Sequence, residues 1–382
     1  MKRFFYLLFF ILLIISACSK GDTIKIGVIV PKSGQLATYG IEAMNGIQIA
    51  AEKINNQGGI EGIKIELIIE DNQGTTTESI NAYKKLVTLS GVNAVIGPVT
   101  SGNGIAVKPL VAQYKTPLIS PTGTAVVLTE GNEYLSRTCF IDPFQGKAAA
   151  SFAYNELGKK TAVIMYDSSN DYSVELADAF ENEFKKLGGK IVYKVGFKDN
   201  DRDFNPQLTE IIKFKPEIIY VPSYHPTAGP IINQAKQKNI DAIFIGGDGW
   251  DSPKLKELAG EGYSGNYFTT HFSEEDIDPM VQDFVKTFKS KTGLVPGAMA
   301  ALGYDAVYML SHALKNTIKK MGKEKIGTQE FKDELKNNIN STKELKGITG
   351  TITLDENRNP IKSVVIIKTT PEGPRFYKKI DL

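Results

Sequence analysis

The chain has 382 residues, with 45 basic against 43 acidic side chains and two cysteines. Near-neutral charge without a long basic run removes the electrostatic case for nucleic-acid binding, and so few cysteines exclude a disulfide framework. The length exceeds what one hydrophobic core usually supports, so two domains are expected.

In chain order, Lys2 and Arg3 precede the apolar run FFYLLFFILLIISA, which ends at Cys18. The run is shorter than the roughly 20 residues that span a bilayer, and it reads as a secretory signal segment. Its end, Ile15-Ser16-Ala17-Cys18, resembles the lipobox of bacterial lipoproteins, in which the cysteine is acylated and begins the mature chain. That resemblance implies a signal peptide over 1–17, a lipidated tether over 18–23, and export to the periplasmic or extracellular face of a bacterial membrane with Cys18 as anchor. Loss of Lys2 and Arg3 leaves 43 side chains of each sign, and Cys139 is left without an intrachain partner.

From residue 24 strand-like and helix-like segments alternate. IKIGVIV (24–30) is the β-branched run of a parallel strand buried on both faces. Ile41, Met44, Ile47, Ala51 and Ile54 then fall at helical spacing, and Gly58-Gly59 stops that helix. A strand KIELIIED, a helix over 76–90, a strand NAVIG (93–97), a helix over 102–114 and a strand TPLIS (116–120) continue the rhythm. A second series begins near 145, with strands TAVIMYD (161–167), KIVYKVGF (190–197), EIIYVPS (217–223) and AIFIGGD (242–248). Residues 278–340 read as mainly helical, and the strands TGTITLD (349–355) and SVVIIK (363–368) close the chain. Two runs of β-α units predict two open, mostly parallel sheets with helices on both faces. No flexible linker separates the runs, which fits lobes joined by short crossings around a cleft and a hinge.

In open α/β sheets, ligands sit beyond the carboxyl ends of the strands, where helix N-termini supply free N–H groups. In the first series those ends carry PVTSGNG (98–104) and PTGTA (121–125), rich in hydroxyls, glycines and backbone donors suited to a carboxylate. In the second they carry SSNDYS (168–173), YHP (224–226) and DGWDS (248–252), an acid among aromatics suited to a cation. Together they describe a zwitterion site. Singly, each position has a plainer reading: Thr100, Ser101, Thr122, Thr124 and Asp248 as caps or turn residues, and Tyr172 and Tyr224 as core.

Signatures of catalysis are poor. VPKSGQLATYG follows the first strand where a nucleotide-binding glycine loop would stand, and no G-x-S-x-G elbow occurs. His225, His271 and His312 make no zinc-ligand spacing. Cys139, within RTCFID, reads as a buried structural thiol. No catalytic residue, metal or cofactor is expected.

The segments IKIGVIVPKSGQLATYG, GIQIAAEKINNQGGIEG, NAVIGPVTSGN, TPLISPTGTA and YHPTAGPIINQAKQKNI resemble the branched-chain amino-acid (Leu/Ile/Val) binding proteins of ABC importers, from Ile24 to the LDENRNP turn. The resemblance implies the type I periplasmic-binding fold: two Rossmann-like α/β lobes joined by three hinge crossings. It puts 24–143 plus 273–349 in the N-terminal lobe and 144–272 plus 350–382 in the C-terminal lobe. By the same resemblance, Ser101, Thr122 and Thr124 would bind the α-carboxylate and ammonium, Tyr172 and Tyr224 would close from the second lobe, and Asp248 would meet the ammonium. Tyr39 and Met299 would line the side-chain pocket, and Trp250 would add bulk near the acid.

Departures from the family pattern are one extra residue in DSSNDY before Tyr172, Asp for the usual Glu at 248, Thr rather than Ala at 122, and Met299 for an aromatic wall. The implied protein is a monomeric, lipid-anchored receptor that closes on a free amino acid, branched-chain or otherwise hydrophobic, and delivers it to an ABC permease. An amide or urea receptor of a sister branch and a ligand-sensing signalling subunit are the rival readings.

Overall fold

The computed structural model describes residues 23–198 and 200–381; the expected signal segment and the expected anchor at Cys18 lie outside them. The first lobe runs β1 (Ile24–Val30), α1 (Ala37–Asn56), β2 (Ile65–Asp71), α2 (Thr76–Lys85), β3 (Ala94–Ile96), α3 (Ser101–Tyr114), β4 (Leu118–Ser120) and β5 (Leu135–Arg137). Its five strands form a wholly parallel sheet in the order β2-β1-β3-β4-β5. The uninterrupted apolar run of β1 follows from burial on both faces. Ile24, Ile26, Val28 and Val30 enter one core, while Ile29 joins Tyr83, Val95, Val107 and Leu118 in the other.

The chain then crosses at 138–141 into α4 (Asp142–Ser151) and the second lobe: β6 (Thr161–Asp167), α5 (Asp171–Lys186), β7 (Lys190–Phe197), α6 (Asn205–Ile212), β8 (Ile218–Tyr220), α7 (His225–Gln237), β9 (Ile243–Gly246), α8 (Pro253–Ala259) and β10 (Tyr267–Thr270). It returns at 271–278 to α9 (Pro279–Thr292), α10 (Ala298–Met321), α11 (Gln329–Asn340) and the hairpin of β11 (Leu345–Gly347) and β12 (Gly350–Ile352). A third crossing, 353–363, leads to β13 (Val364–Thr370) and β14 (Gly373–Ile380). The second sheet has seven strands in the order β14-β13-β10-β9-β8-β6-β7, parallel except at β13 and β14.

Two lobes and three crossings agree with the sequence reading; four strands, β5, β10, β11 and β14, do not appear in it. β5 is three residues long, β10 hides in an aromatic and threonine run, and β14 is a polar edge strand. The helix predicted over 76–90 is α-helical only to Lys85 and ends in a π-helical turn, Leu86–Ser90, before Gly91. Of TGTITLD only Gly350–Ile352 is strand, and Ile352 and Leu354 pack into the first-lobe core.

α10 returns to the first lobe and lies against α1. The two helices approach closely at Gly46, where a Cβ would stand 2.0 Å from the Ala300 carbonyl oxygen. The β11–β12 turn and Lys362 of the third crossing meet at Asp305 on α10, which is wholly buried. Its carboxylate accepts from the Ile348 and Thr349 amides at 2.7 and 2.9 Å and from the Thr349 hydroxyl at 2.6 Å. The buried Lys362 ammonium lies 3.7 Å from the same carboxylate.

Candidate functional site: an interlobe cavity

The carboxyl ends of the strands of both sheets face one another across the cleft. In the first lobe β3 ends at Gly97, whose φ of +108° and whose place against the Ile29 carbonyl oxygen, 2.1 Å from where a Cβ would stand, admit only glycine. The segment after it is stitched to the segment after β4. Ser120 Oγ donates to the Pro98 carbonyl at 3.0 Å, the Thr122 hydroxyl donates to the Val99 carbonyl, and the Ala125 amide donates to Ser101 Oγ at 3.1 Å. Thr100 is the N-cap residue of α3, yet its side chain caps nothing; the capping alternative for Thr100 and Ser101 therefore does not hold. Thr124 Oγ1 is buried beside the Asp142 carboxyl.

From the second lobe come Tyr172 at the start of α5, Tyr224 immediately before α7, and Asp248 after β9. The Tyr172 and Tyr224 rings stack face to face, 5.0 Å apart and 1° from parallel. The Tyr172 hydroxyl donates to Asp248 Oδ1 at 2.9 Å and accepts from the Gly249 amide at 2.9 Å. Asp248 Oδ2 lies 3.2 Å from His271 Nε2. Burial lowers the His271 pKa, the neighbouring Asp248 opposing it; the neutral ring then donates from Nε2 to the carboxylate. Asp248 caps no helix, because Ser252 caps α8.

These residues converge. Tyr39, Val99, Thr100, Ser101, Thr122, Thr124, Tyr172, Tyr224, Asp248, Gly249 and Met299 line one tight interlobe cavity of ≈ 10 Å³. Eight of the nine residues singled out in the sequence meet there. Trp250 does not. Its indole lies over Gly246, where a Cβ would fall 2.1 Å from the ring, and Nε1 donates to the Val221 carbonyl at 3.0 Å. The residue belongs to the second-lobe core, because the single turn after Asp248 directs it beneath β9. Sequence reasoning did not single out Val99 and Gly249, which take part through position and backbone, or His271, whose partnership with Asp248 depends on the crossing that follows β10.

The cavity is closed over by contacts between the lobes. The Tyr39 hydroxyl donates to the Gly249 carbonyl and accepts from the His225 amide at 3.3 Å. Thr38 and Ser252 hydroxyl oxygens are 3.3 Å apart, and Glu175 on α5 accepts from the Val126 amide at 2.8 Å. Burial raises the Tyr39 and Tyr172 phenols well above their ordinary values, which keeps both as donors. Cys139 is wholly buried, and burial pushes its thiol up to about 12, unsuited to nucleophilic duty.

A periplasmic binding protein family model matches residues 23–373. The chain belongs to the periplasmic binding protein family. Its family relatives include the Leu/Ile/Val-binding protein BraC3 of Rhizobium johnstonii, 30% identical over 334 residues, which cover 87% of this chain and 88% of that protein. Among solved structures of the family, a leucine binding protein LivK from Thermotoga maritima is 37% identical with a TM-score of 0.86, covering 94% of this chain and 99% of that one. The branched-chain amino acid transporter substrate binding protein LivJ of Streptococcus pneumoniae, solved with isoleucine, is 33% identical with the same TM-score and coverage. Periplasmic binding proteins of this kind share the type I fold described above. Among the described residues no helix is long and apolar enough to cross a membrane, and no group of three or more His, Cys, Asp or Glu is placed to hold a metal.

Proposed function

We propose that this protein is an extracytoplasmic receptor for a free hydrophobic amino acid, branched-chain foremost, which it carries to an ABC permease while anchored through a lipid on Cys18. The observation that supports the ligand class best is the polarity of the cavity. Its first-lobe side presents hydroxyls and the N-terminal amides of α3, and its second-lobe side presents one carboxylate ringed by aromatic side chains. An α-carboxylate suits the first and an α-ammonium the second, while Tyr39, Val99 and Met299 offer apolar surface to a side chain.

Each group has a role in this reading. Ser101 Oγ accepts from Ala125, so its own O–H is free to donate to the ligand carboxylate. The Thr122 O–H is committed to Val99, which leaves its backbone N–H for the carboxylate and its oxygen lone pairs for the ammonium. Thr124 brings a buried hydroxyl to the cavity wall, beside the Asp142 carboxyl. Asp248 receives a donor from Tyr172 on one oxygen and faces His271 on the other, and each oxygen keeps a lone pair for the ammonium. Burying a zwitterion is costly unless both charges are paired, so head-group recognition is exacting. Side-chain choice is looser, since one methylene is worth about 1–3 kcal/mol.

Calorimetric titration of the ligand-stripped protein with leucine, isoleucine, valine, phenylalanine, alanine, acetamide and urea tests the assignment. Micromolar or tighter binding of a free amino acid is expected. Asp248→Ala should weaken it by about 2–5 kcal/mol, the cost of leaving a buried ammonium unpaired. Binding of amides or urea alone would overturn the head-group assignment while leaving a carrier role, and no binding across the panel would overturn the receptor reading.

A further inference from the structure

Two carboxylic acids from opposite lobes meet at the seam beside the ligand cavity. Glu42 lies on α1, one helical turn beyond Tyr39, and Asp251 follows Trp250 in the second lobe. Both address the N-terminus of α10, a first-lobe helix. Glu42 Oε1 accepts from the Gly297 amide at 2.5 Å; Asp251 Oδ2 accepts from the Ala298 amide at 3.2 Å and from the Thr270 hydroxyl at 2.7 Å. A Cβ on Gly297 would stand 2.7 Å from Glu42 Oε1 and 3.0 Å from Asp251 Oδ1, so the two carboxyls flank one glycine. The Asp251–Ala298 bond spans the seam and requires the lobes to be together.

Among the described residues no cation is paired with either acid, and both keep part of their surface at the rim of a groove. Glu42 faces Asp251 and the Gly297 and Ala300 amides. Asp251 faces Thr270, the Ala298 amide and, farther off, Asp248, with the Tyr39 and Tyr263 phenols on its other sides. Lys256, which lines the same groove, is held by the Pro371 carbonyl at 2.7 Å, and Arg375 by Glu275 at 3.3 Å. The α10 N-terminus favours one negative charge, but two adjoining carboxylates in such a setting do not both ionise. Burial, and for Glu42 also the facing Asp251, raises both acids above the ordinary carboxylate range, Glu42 to about 8.

We propose that Glu42 and Asp251 are positioning residues of the closed site which share a single proton, so that the lobes close on their ligand with uptake of a proton from solvent. When the lobes part, each carboxyl returns to water and ionises near pH 4. The sign follows: the acids bind a proton more tightly in the closed form, so closure is least hindered below the open-state values. Its advantage declines as pH rises from the open-state values to the closed-state ones. In that window affinity falls by up to about tenfold per pH unit.

The test uses leucine as probe, a choice that rests on the amino-acid reading. Calorimetry at pH 7 in buffers of different ionisation enthalpy should show proton uptake by the wild-type protein, and affinity should weaken about tenfold or more between pH 6 and 8. Glu42→Gln, which keeps an acceptor for Gly297, should bind with less uptake, a flatter pH profile and higher affinity at pH 8. Asp251→Asn should act in the same direction from the other lobe, and Glu42→Asp should restore the slope. Leucine binding with equal uptake in wild type and both amide variants would overturn the proposal.

Failure of leucine to bind would instead overturn the ligand assignment. The proton-sharing pair would then be tested in a Thr38→Cys/Ser252→Cys variant, cross-linked closed across the 3.3 Å hydroxyl contact. An infrared band of a protonated carboxyl at pH 7 that disappears on adding Glu42→Gln is the expected result, and a spectrum unchanged by that substitution would refute the pair.

Discussion

Tyr39 holds the two lobes by a single hydroxyl, donating to Gly249 and accepting from His225. Tyr39→Phe removes both bonds without changing the apolar wall. With each bond worth about 0.5–1.5 kcal/mol net, ligand affinity measured by calorimetry should drop roughly tenfold while the thermal midpoint of the ligand-free protein stays put. Asp142 is a different case. It is wholly buried at the start of α4, where its carboxyl faces the Thr124 hydroxyl. Burial foremost, then Asp248 and Glu175, raise its pKa well above the ordinary value. The nearby Arg137 guanidinium is engaged by the Gly123 and Ala125 carbonyls.

The raised pKa disfavours ionisation of Asp142 in the folded chain, and Asp142→Asn keeps the shape while removing the ionisable proton. The wild type should lose ground to the variant as pH rises above the ordinary carboxylate range, because only its carboxyl must stay protonated against the rising pH; thermal unfolding across a pH series checks this. At this scale the sequence was informative where chemistry repeats by position. Hydroxyl and acid clusters at five strand ends located the cavity. The direction of Trp250 was not legible, since a turn of one or two residues decides whether a side chain faces the cleft or the core.

At the scale of elements, helical spacing in α1 was plain from Ile41, Met44 and Ile47, whereas its partner was not. α10 is separated from α1 by some 240 residues of chain, and the contact rests on Gly46, a residue that weakens a helix taken alone. Gly46→Ala would push a methyl into the Ala300 carbonyl. Overpacking of this kind costs typically 1–3 kcal/mol, so the midpoint of thermal unfolding should fall, and ligand affinity should follow because Met299 stands one residue before Ala300. Two of the strands missed in the sequence have a common cause. Neither displays a hydrophobic period: β14 is an edge strand exposed along 374–377, and β5 is only three residues long.

Across the whole molecule the chain passes between lobes three times, and the last passage meets the β11–β12 turn at one acid. Asp305 holds the Ile348 and Thr349 amides and faces Lys362. Asp305→Ala would leave a buried lysine without its counter-ion, and breaking a buried pair from one side costs about 3–5 kcal/mol. A lower denaturation midpoint is the expected outcome, followed by circular dichroism. That two lobes exist was readable from the doubled β-α rhythm, but not which side chains join them, because such contacts depend on the closed arrangement of bodies distant in sequence.

The seam also contains the chain's single tryptophan. Trp250 is fixed against Gly246 and lies between Gly249, which Tyr39 reaches from the opposite lobe, and Asp251, which bonds to α10. Parting the lobes would free the residues on either side of a single indole that itself stays in the second-lobe core. The protein thus carries its own optical gauge: an emission shift on adding ligand would report opening and closing in real time, without any dye and with no second fluorophore of its kind to dilute the signal.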